Sequence, residues 1–191
     1  MLRSVRELRR FWTVTTDGAR FGIHDFLFDE RHWAIRYLVI STGTWLRRRR
    51  VLIPSAAVAF IDPKGYQACL RLDQGRLQHA RLGNIRFVPG DLRRVKTVAR
   101  YHVRATDGEI GRIKDFIVDD DTFLITHLVV ETRTWPGRHS VLVAPAKVRR
   151  VERSLSRLQV SLTRQQVHSS PAYRRADLLA RGSRRASACR L

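Results

Sequence analysis

Acidic residues are in short supply. Seventeen Asp and Glu face 37 Lys and Arg in 191 residues, a formal net charge of +20. The excess is nearly all arginine. A balance of this sign favours anionic partners: RNA, the ribosome, DNA, acidic proteins or anionic lipid. It does not choose among them, and a genome rich in G and C also favours Arg over Lys. Long apolar runs are missing too. None approaches the roughly twenty residues of a membrane helix. Residues 1–15 are basic but hold no apolar stretch of the kind a secretory signal needs. Only two cysteines occur, Cys69 and Cys189, with no CxxC spacing. A reduced cytoplasm is the simple reading, with attachment at the periphery of a membrane left open.

Catalytic signatures are equally scarce. There is no GxSxG, phosphate-loop or dinucleotide motif. The seven histidines (24, 32, 79, 102, 127, 139 and 168) show no ligand spacing such as HExxH. Asp119-Asp120-Asp121 offers oxygen ligands, but adjacent carboxylates on a strand end point different ways, and a solvated turn accounts for them. His127 aligns with Tyr37 on a central strand and reads as a core histidine. The expectation is a protein that is not an enzyme, with no catalytic, cofactor or metal residues.

What the chain does have is a repeat. Shifted by ninety, Thr16–Val58 and Thr106–Val148 align without a gap, with identity at 18 of 43 positions. Many other positions exchange within a class, such as Trp33 for Phe123 and Ile53 for Val143. One module is made twice. Ser4-Val5-Arg6-Glu7 has the form of a capping box before a helical turn, and Leu92, Val95 and Val98 repeat the spacing of Leu2, Val5 and Leu8. Thr-Asp-Gly at 16–18 and 106–108 marks a hairpin. In the next strand the apolar step from Ile23 to Phe26, and from Ile113 to Phe116, is three rather than two. An odd step reverses the strand's faces, so a bulge is expected at His24-Asp25 and Lys114-Asp115. Asp25 and Asp115 then serve as acceptors for backbone N–H groups at that bulge rather than as a catalytic pair.

Ala34–Ser41 and Leu124–Glu131 are apolar on both faces and read as central strands. Thr163-Arg164-Gln165-Gln166 opens a short closing helix that Pro171 ends. The fold class is therefore all-β: two tandem small β-barrels with short helical turns. The first copy occupies 1–80, a linker 81–90, the second copy 91–172. An Arg-rich disordered tail follows over 173–191.

The motifs in the second copy resemble the PRC-barrel family. They are Thr-Asp-Gly at 106–108, Gly-Arg-Ile-Lys-Asp-Phe-Ile-Val-Asp at 111–119, Leu-Val-Val-Glu-Thr at 128–132 and Val-Leu-Val-Ala-Pro at 141–145. The stretch from Val160 to Val167, with Ser170-Pro171 after it, is similar to the family's closing segment. The resemblance covers most of residues 2–171 and implies a PRC-type barrel. It departs in the first copy at Phe21-Gly22, where the glycine has moved by one, and at Arg47–Arg50. Members of the family include the cytoplasmic domain of the photosynthetic reaction centre H subunit and the C-terminal domain of the RimM-type ribosome maturation factor. The resemblance thus implies docking on a larger protein or ribonucleoprotein assembly. RNA or ribosome binding of the maturation-factor kind is an alternative, as is a peripheral, H-subunit-like partnership with a membrane complex. No small-molecule substrate is implied.

The candidate contacts to an anion or nucleic acid are Arg47, Arg48, Arg49 and Arg50, on a loop between two strands, and Arg174, Arg175, Arg181, Arg184 and Arg185 in the tail. Four adjacent guanidiniums repel one another, which makes a purely structural role unattractive. Contacts of this kind would be electrostatic and indifferent to base sequence. Trp45 and Trp135, at equivalent positions, read as packing residues rather than as a stacking platform.

Overall fold

The structure, a computed structural model, describes residues 1–42, 49–79, 91–132 and 139–174. It is mostly β, in two curled, half-barrel-like sheets with a few short helices. The first copy contributes β1 (Leu2–Ser4), α1 (Val5–Leu8), β2 (Trp12–Val14), β3 (Arg20–Asp29), β4 (Ala34–Thr42), β5 (Arg49–Pro54), β6 (Val58–Asp62), β7 (Gln67–Leu70) and α2 (Gln74–His79). The second contributes β8 (Leu92–Arg94), α3 (Val95–Val98), β9 (His102–Ala105), β10 (Gly108–Asp119), β11 (Ile125–Thr132), β12 (His139–Val143), β13 (Val148–Glu152), β14 (Arg157–Val160) and α4 (Arg164–His168). Among the described residues no helix is long and apolar enough to cross a membrane.

Each sheet follows the same path, β5-β4-β3-β2-β7-β6 in one and β12-β11-β10-β9-β14-β13 in the other. Antiparallel hairpins build each path except at one step: β2 runs parallel to β7, and β9 parallel to β14. The seventh strand is exchanged. β1, at the start of the first copy, pairs with β10, and β8, at the start of the second, pairs with β3. The compact units reflect this. One takes Met1–Val5, Lys96–Asp119 and the described chain from Ile125; the other takes Arg6–Val95 with Asp120–Leu124. The helical turn expected at the head of each copy is present as α1 and α3, but a short strand precedes it.

The bulges fall where the apolar phase breaks. Pairing slips between Ile23 and Asp25, and between Ile113 and Asp115. At each, the carboxylate accepts the N–H of the following residue, Phe26 to Asp25 at 2.9 Å and Phe116 to Asp115 at 2.8 Å. The second carboxylate oxygen faces the exchanged strand. Arg94 Nε donates to Asp25 Oδ2 at 3.2 Å, and at the equivalent place the Ser4 hydroxyl donates to Asp115 Oδ2. Both carboxylates are buried.

On either side of the bulge, Ile23, Phe26 and Phe28 on β3 belong to the core with Leu38, Ile40, Val51 and Ile53. On the opposite side of that sheet Leu27, Val39 and Leu92 form a smaller cluster under Tyr37 and Leu52. In the other unit Ile117 and Val129 do so under Leu2, Leu142 and Tyr173.

The hairpin aspartates have a second task. Asp17 accepts the N–H of Gln74 at 3.1 Å, and Asp107 that of Arg164 at 2.8 Å, so each supports the first turn of the closing helix. The Thr15 hydroxyl and the Gln74 N–H hold the Asp17 carboxyl below its ordinary value. The expected capping box at Thr163 and Gln166 is formed, and α4 ends before Pro171. In the first copy Asp73 takes the capping place, accepting the N–H of Arg76 at 2.7 Å. Among the described residues four non-glycine residues adopt left-handed backbone, and they fall into two repeat pairs, Trp33 with Phe123 and Tyr66 with Ser156. The turn geometry is thus copied even where the residues differ.

The moved glycine has a local consequence. A Cβ at Gly111 would meet the Glu131 carbonyl oxygen at 1.9 Å, so backbone approaches backbone there. The hairpin β9–β10 carries an additional register shift between Glu109 and Gly111, whereas β2 and β3 pair without one.

Candidate nucleic-acid interface

The arginines singled out from the sequence separate into those the structure places and those it does not. Arg47, Arg48, Arg175, Arg181, Arg184 and Arg185 lie outside the described residues, as do Trp45 and Trp135. Arg49 and Arg50 are exposed, but they are not on a loop. They open β5, because pairing with β4 continues as far as Thr42 opposite Arg49 and Ser41 opposite Arg50. Arg174 is exposed in the other unit. It follows Tyr173, whose N–H donates to the Ser140 carbonyl at 2.7 Å, and Ala172 bridges to Val141 at the edge of β12. Ser140 is the repeat equivalent of Arg50. The second copy therefore carries no arginine at that point of its strand, and the segment after α4 brings Tyr173 beside it, with Arg174 next in the chain.

Across the sheet from Arg50 stands an exposed aromatic. Directly paired positions run Arg50–Ser41, Ser41–Gly22, Gly22–Trp12 and, in parallel register, Trp12–Gln67. Residues paired in this way present their side chains on the same face. Trp12 is 52 % exposed although it sits in a strand. Its ring reaches beside Gly22, where an added Cβ would lie 3.9 Å from Cζ3. Tyr66 flanks it, 55 % exposed; the Tyr66 carbonyl accepts the Trp12 N–H at 2.9 Å. The Tyr66 ring stands edge-on against Phe11, with centroids 5.3 Å apart. Arg20, two residues before Gly22 on β3, is exposed as well. The nearest acid in this row is Asp62, paired opposite Gln67 at the far end.

The same row in the second copy has different chemistry. His102 replaces Trp12, Arg112 replaces Gly22, Glu131 replaces Ser41 and Ser156 replaces Tyr66. Glu131 accepts from Lys114 Nζ at 3.0 Å. The backbone frame is shared, and the surface is not.

The other residues weighed as chemical candidates are occupied structurally. Asp119 pairs with the Met1 amino group at 3.3 Å, and Asp120 is buried. Among the described residues no group of three or more His, Cys, Asp and Glu is placed to hold a metal ion. His127 is half-buried rather than a core residue, with Nδ1 3.2 Å from the Thr126 hydroxyl. It pairs opposite Ile117, on the side of the sheet that carries the smaller cluster of Ile117 and Val129.

Trp12 carried no motif and no repeat partner of its own kind. Only the register that sets it opposite Gly22, and so in line with Arg50, marks it. No known family model matches the chain, and no curated protein matches it in sequence.

Proposed function

We propose that this chain is a tandem PRC-barrel protein without enzymatic activity, an adaptor that docks on a larger protein or ribonucleoprotein assembly through a positively charged surface. The gapless repeat and the two half-barrel-like sheets support the fold part of this reading. The observation that carries the functional part is the exposed pair Arg49 and Arg50 at the open end of β5, with Arg174 exposed on the segment along the edge of β12 in the other unit. Neither arginine of the pair has a carboxylate opposite it: their cross-strand partners are Thr42 and Ser41. Charges presented without counter-charges suit a phosphate-rich partner. On this reading the protein works in the cytoplasm, and a ribonucleoprotein is the favoured partner.

The test is a salt series. Replacing Arg47, Arg48, Arg49 and Arg50 with Ser removes four charges while leaving the buried strand residues in place. Binding to RNA should weaken and the slope of log K against log salt should flatten by about three, because each phosphate neutralised on a single strand contributes about 0.7. Folding should be preserved, since exposed substitutions shift stability by less than about 0.5 kcal/mol. Anionic vesicles run in parallel identify a membrane surface instead if they alone respond. Equal binding by parent and variant to every polyanion across the series would sink the charged-surface reading.

A further inference from the structure

The two copies share a frame, so a difference in surface chemistry at equivalent positions marks where one copy has been given a task the other lacks. One such difference among the described residues is the row through Trp12. In the first copy it presents a half-exposed indole, a glycine, a serine and an arginine. Single exposed aromatics are ordinary on protein surfaces. Here three further features accompany the indole. Tyr66, equally exposed, adjoins it through a backbone hydrogen bond. Gly22 leaves the strand beside the ring without a side chain. Arg20 and Arg50 border the bare stretch on the neighbouring positions of β3 and on β5.

We infer that this face of the first copy's sheet, with Trp12 as the stacking platform and Arg20 and Arg50 as phosphate contacts, binds single-stranded nucleic acid. The inference rests on the reading above that the chain docks on an anionic partner, and it adds the ligand's form. A duplex hides the faces of its bases; a single strand exposes them to an aromatic ring, and such stacking is tolerant of sequence. Strands lie about 4.8 Å apart, so three intervals separate Trp12 from Arg50 by about 14 Å. A short extended run of nucleotides spans that distance, one base on the indole and its neighbours' phosphates toward the arginines. The second copy is unsuited to the same ligand. Arg112 rises where Gly22 is bare, and Glu131 places a carboxylate where Ser41 is neutral. One site per chain is expected.

Short oligouridine RNA, oligothymidine DNA and a DNA duplex of equal charge are the probes, measured by fluorescence anisotropy with the full chain. Trp12→Ala should weaken single-strand binding about tenfold or more, given the usual loss on removing one stacking residue. It should leave duplex binding and the salt slope unchanged. Trp12→Phe should recover most of the loss. Gly22→Arg, which copies the second module, should also weaken single-strand binding with Trp12 intact, and it serves if Trp12→Ala does not fold. Preference between the RNA and DNA strands identifies the source. If Trp12→Ala and Gly22→Arg both bind the single strands as the parent does, the inference is wrong and this face does not bind single strands. That outcome, with weakened binding by the Arg47–Arg50 variant, leaves the charged-surface reading standing; loss of effect in all three variants removes both.

Discussion

Among single residues, Asp29 shows how a turn is held by charge at the end of β3. Its carboxylate accepts from the Arg31 N–H at 2.8 Å and lies 2.5 Å from His32 Nδ1, with Arg36 at 3.4 Å. Burial pushes its pKa up, but the His32 ring and the N–H groups of Arg31 and His32 outweigh that and bring it down from 3.8 to about 2. A carboxyl with a depressed folded value stabilises fully above its unfolded value and loses that contribution as pH falls through the folded one. The window therefore runs from about pH 4 down to about pH 2. Asp29→Asn should lower the thermal midpoint by about 1–3 °C at pH 6. The gap between parent and variant should close as pH falls from 4 to 2. Thermal scans at stepped pH check this, and a gap that stays constant down to pH 2 would remove Asp29 from the account. The turn itself is a repeated one, because Trp33 and Phe123 adopt the same left-handed backbone despite their bulk.

At the scale of the element, the bulged strand and its exchanged neighbour form one device used twice with different chemistry. Asp25 is fully buried against an Arg94 guanidinium that is itself 32 % exposed. Arg94→Ala removes the charge partner and should cost about 2–3 kcal/mol, the low end for a buried pair because water still reaches the arginine. Arg94→Ser should recover part of the loss, since Ser4 serves Asp115 from the same register in the other sheet. Urea unfolding of the two variants tests this; equal destabilisation by Ala and Ser would show that the hydroxyl does not reach.

The bulge was legible in the sequence because strand faces alternate strictly, so the three-residue step from Ile23 to Phe26 had to be absorbed somewhere. The hairpin and the capping box at Thr163 were legible for the same local reason: each needs particular residue types at fixed spacing. Arg49 and Arg50 read as loop because four adjacent arginines resemble no strand, yet Ser41 and Thr42 extend the pairing to them. The row from Trp12 to Arg50 could not be read at all, since cross-strand register links residues 38 positions apart with no local signature.

For the whole molecule, the exchange of β1 and β8 means that each sheet is completed by the head of the other copy. Nothing local distinguishes the two heads: Leu2 and Leu92 occupy equivalent registers, opposite Asp119 and Asp29. A repeat in sequence therefore did not reveal which partner each head takes. An isolated first copy, residues 1–80, lacks β8 and retains a β1 whose pairing strand is β10. Two such copies can satisfy one another by the same exchange. Residues 1–80 alone should therefore be dimeric at micromolar concentration and less stable than the full chain, with unfolding that depends on concentration. Sedimentation across a dilution series checks it, and a stable monomer would show that a head can close on its own sheet.

The exchange also has a consequence in time. Strand β1 pairs with Ile117–Asp119, which leave the ribosome more than a hundred residues after it. At about 5–20 residues per second that is a wait of roughly 6–23 s. The first copy's own sheet waits less, until Leu92–Arg94 appear, but it too cannot finish within its own sequence. A growing chain therefore carries β1 unpaired until β10 is made, and the first copy's sheet is completed before the second's.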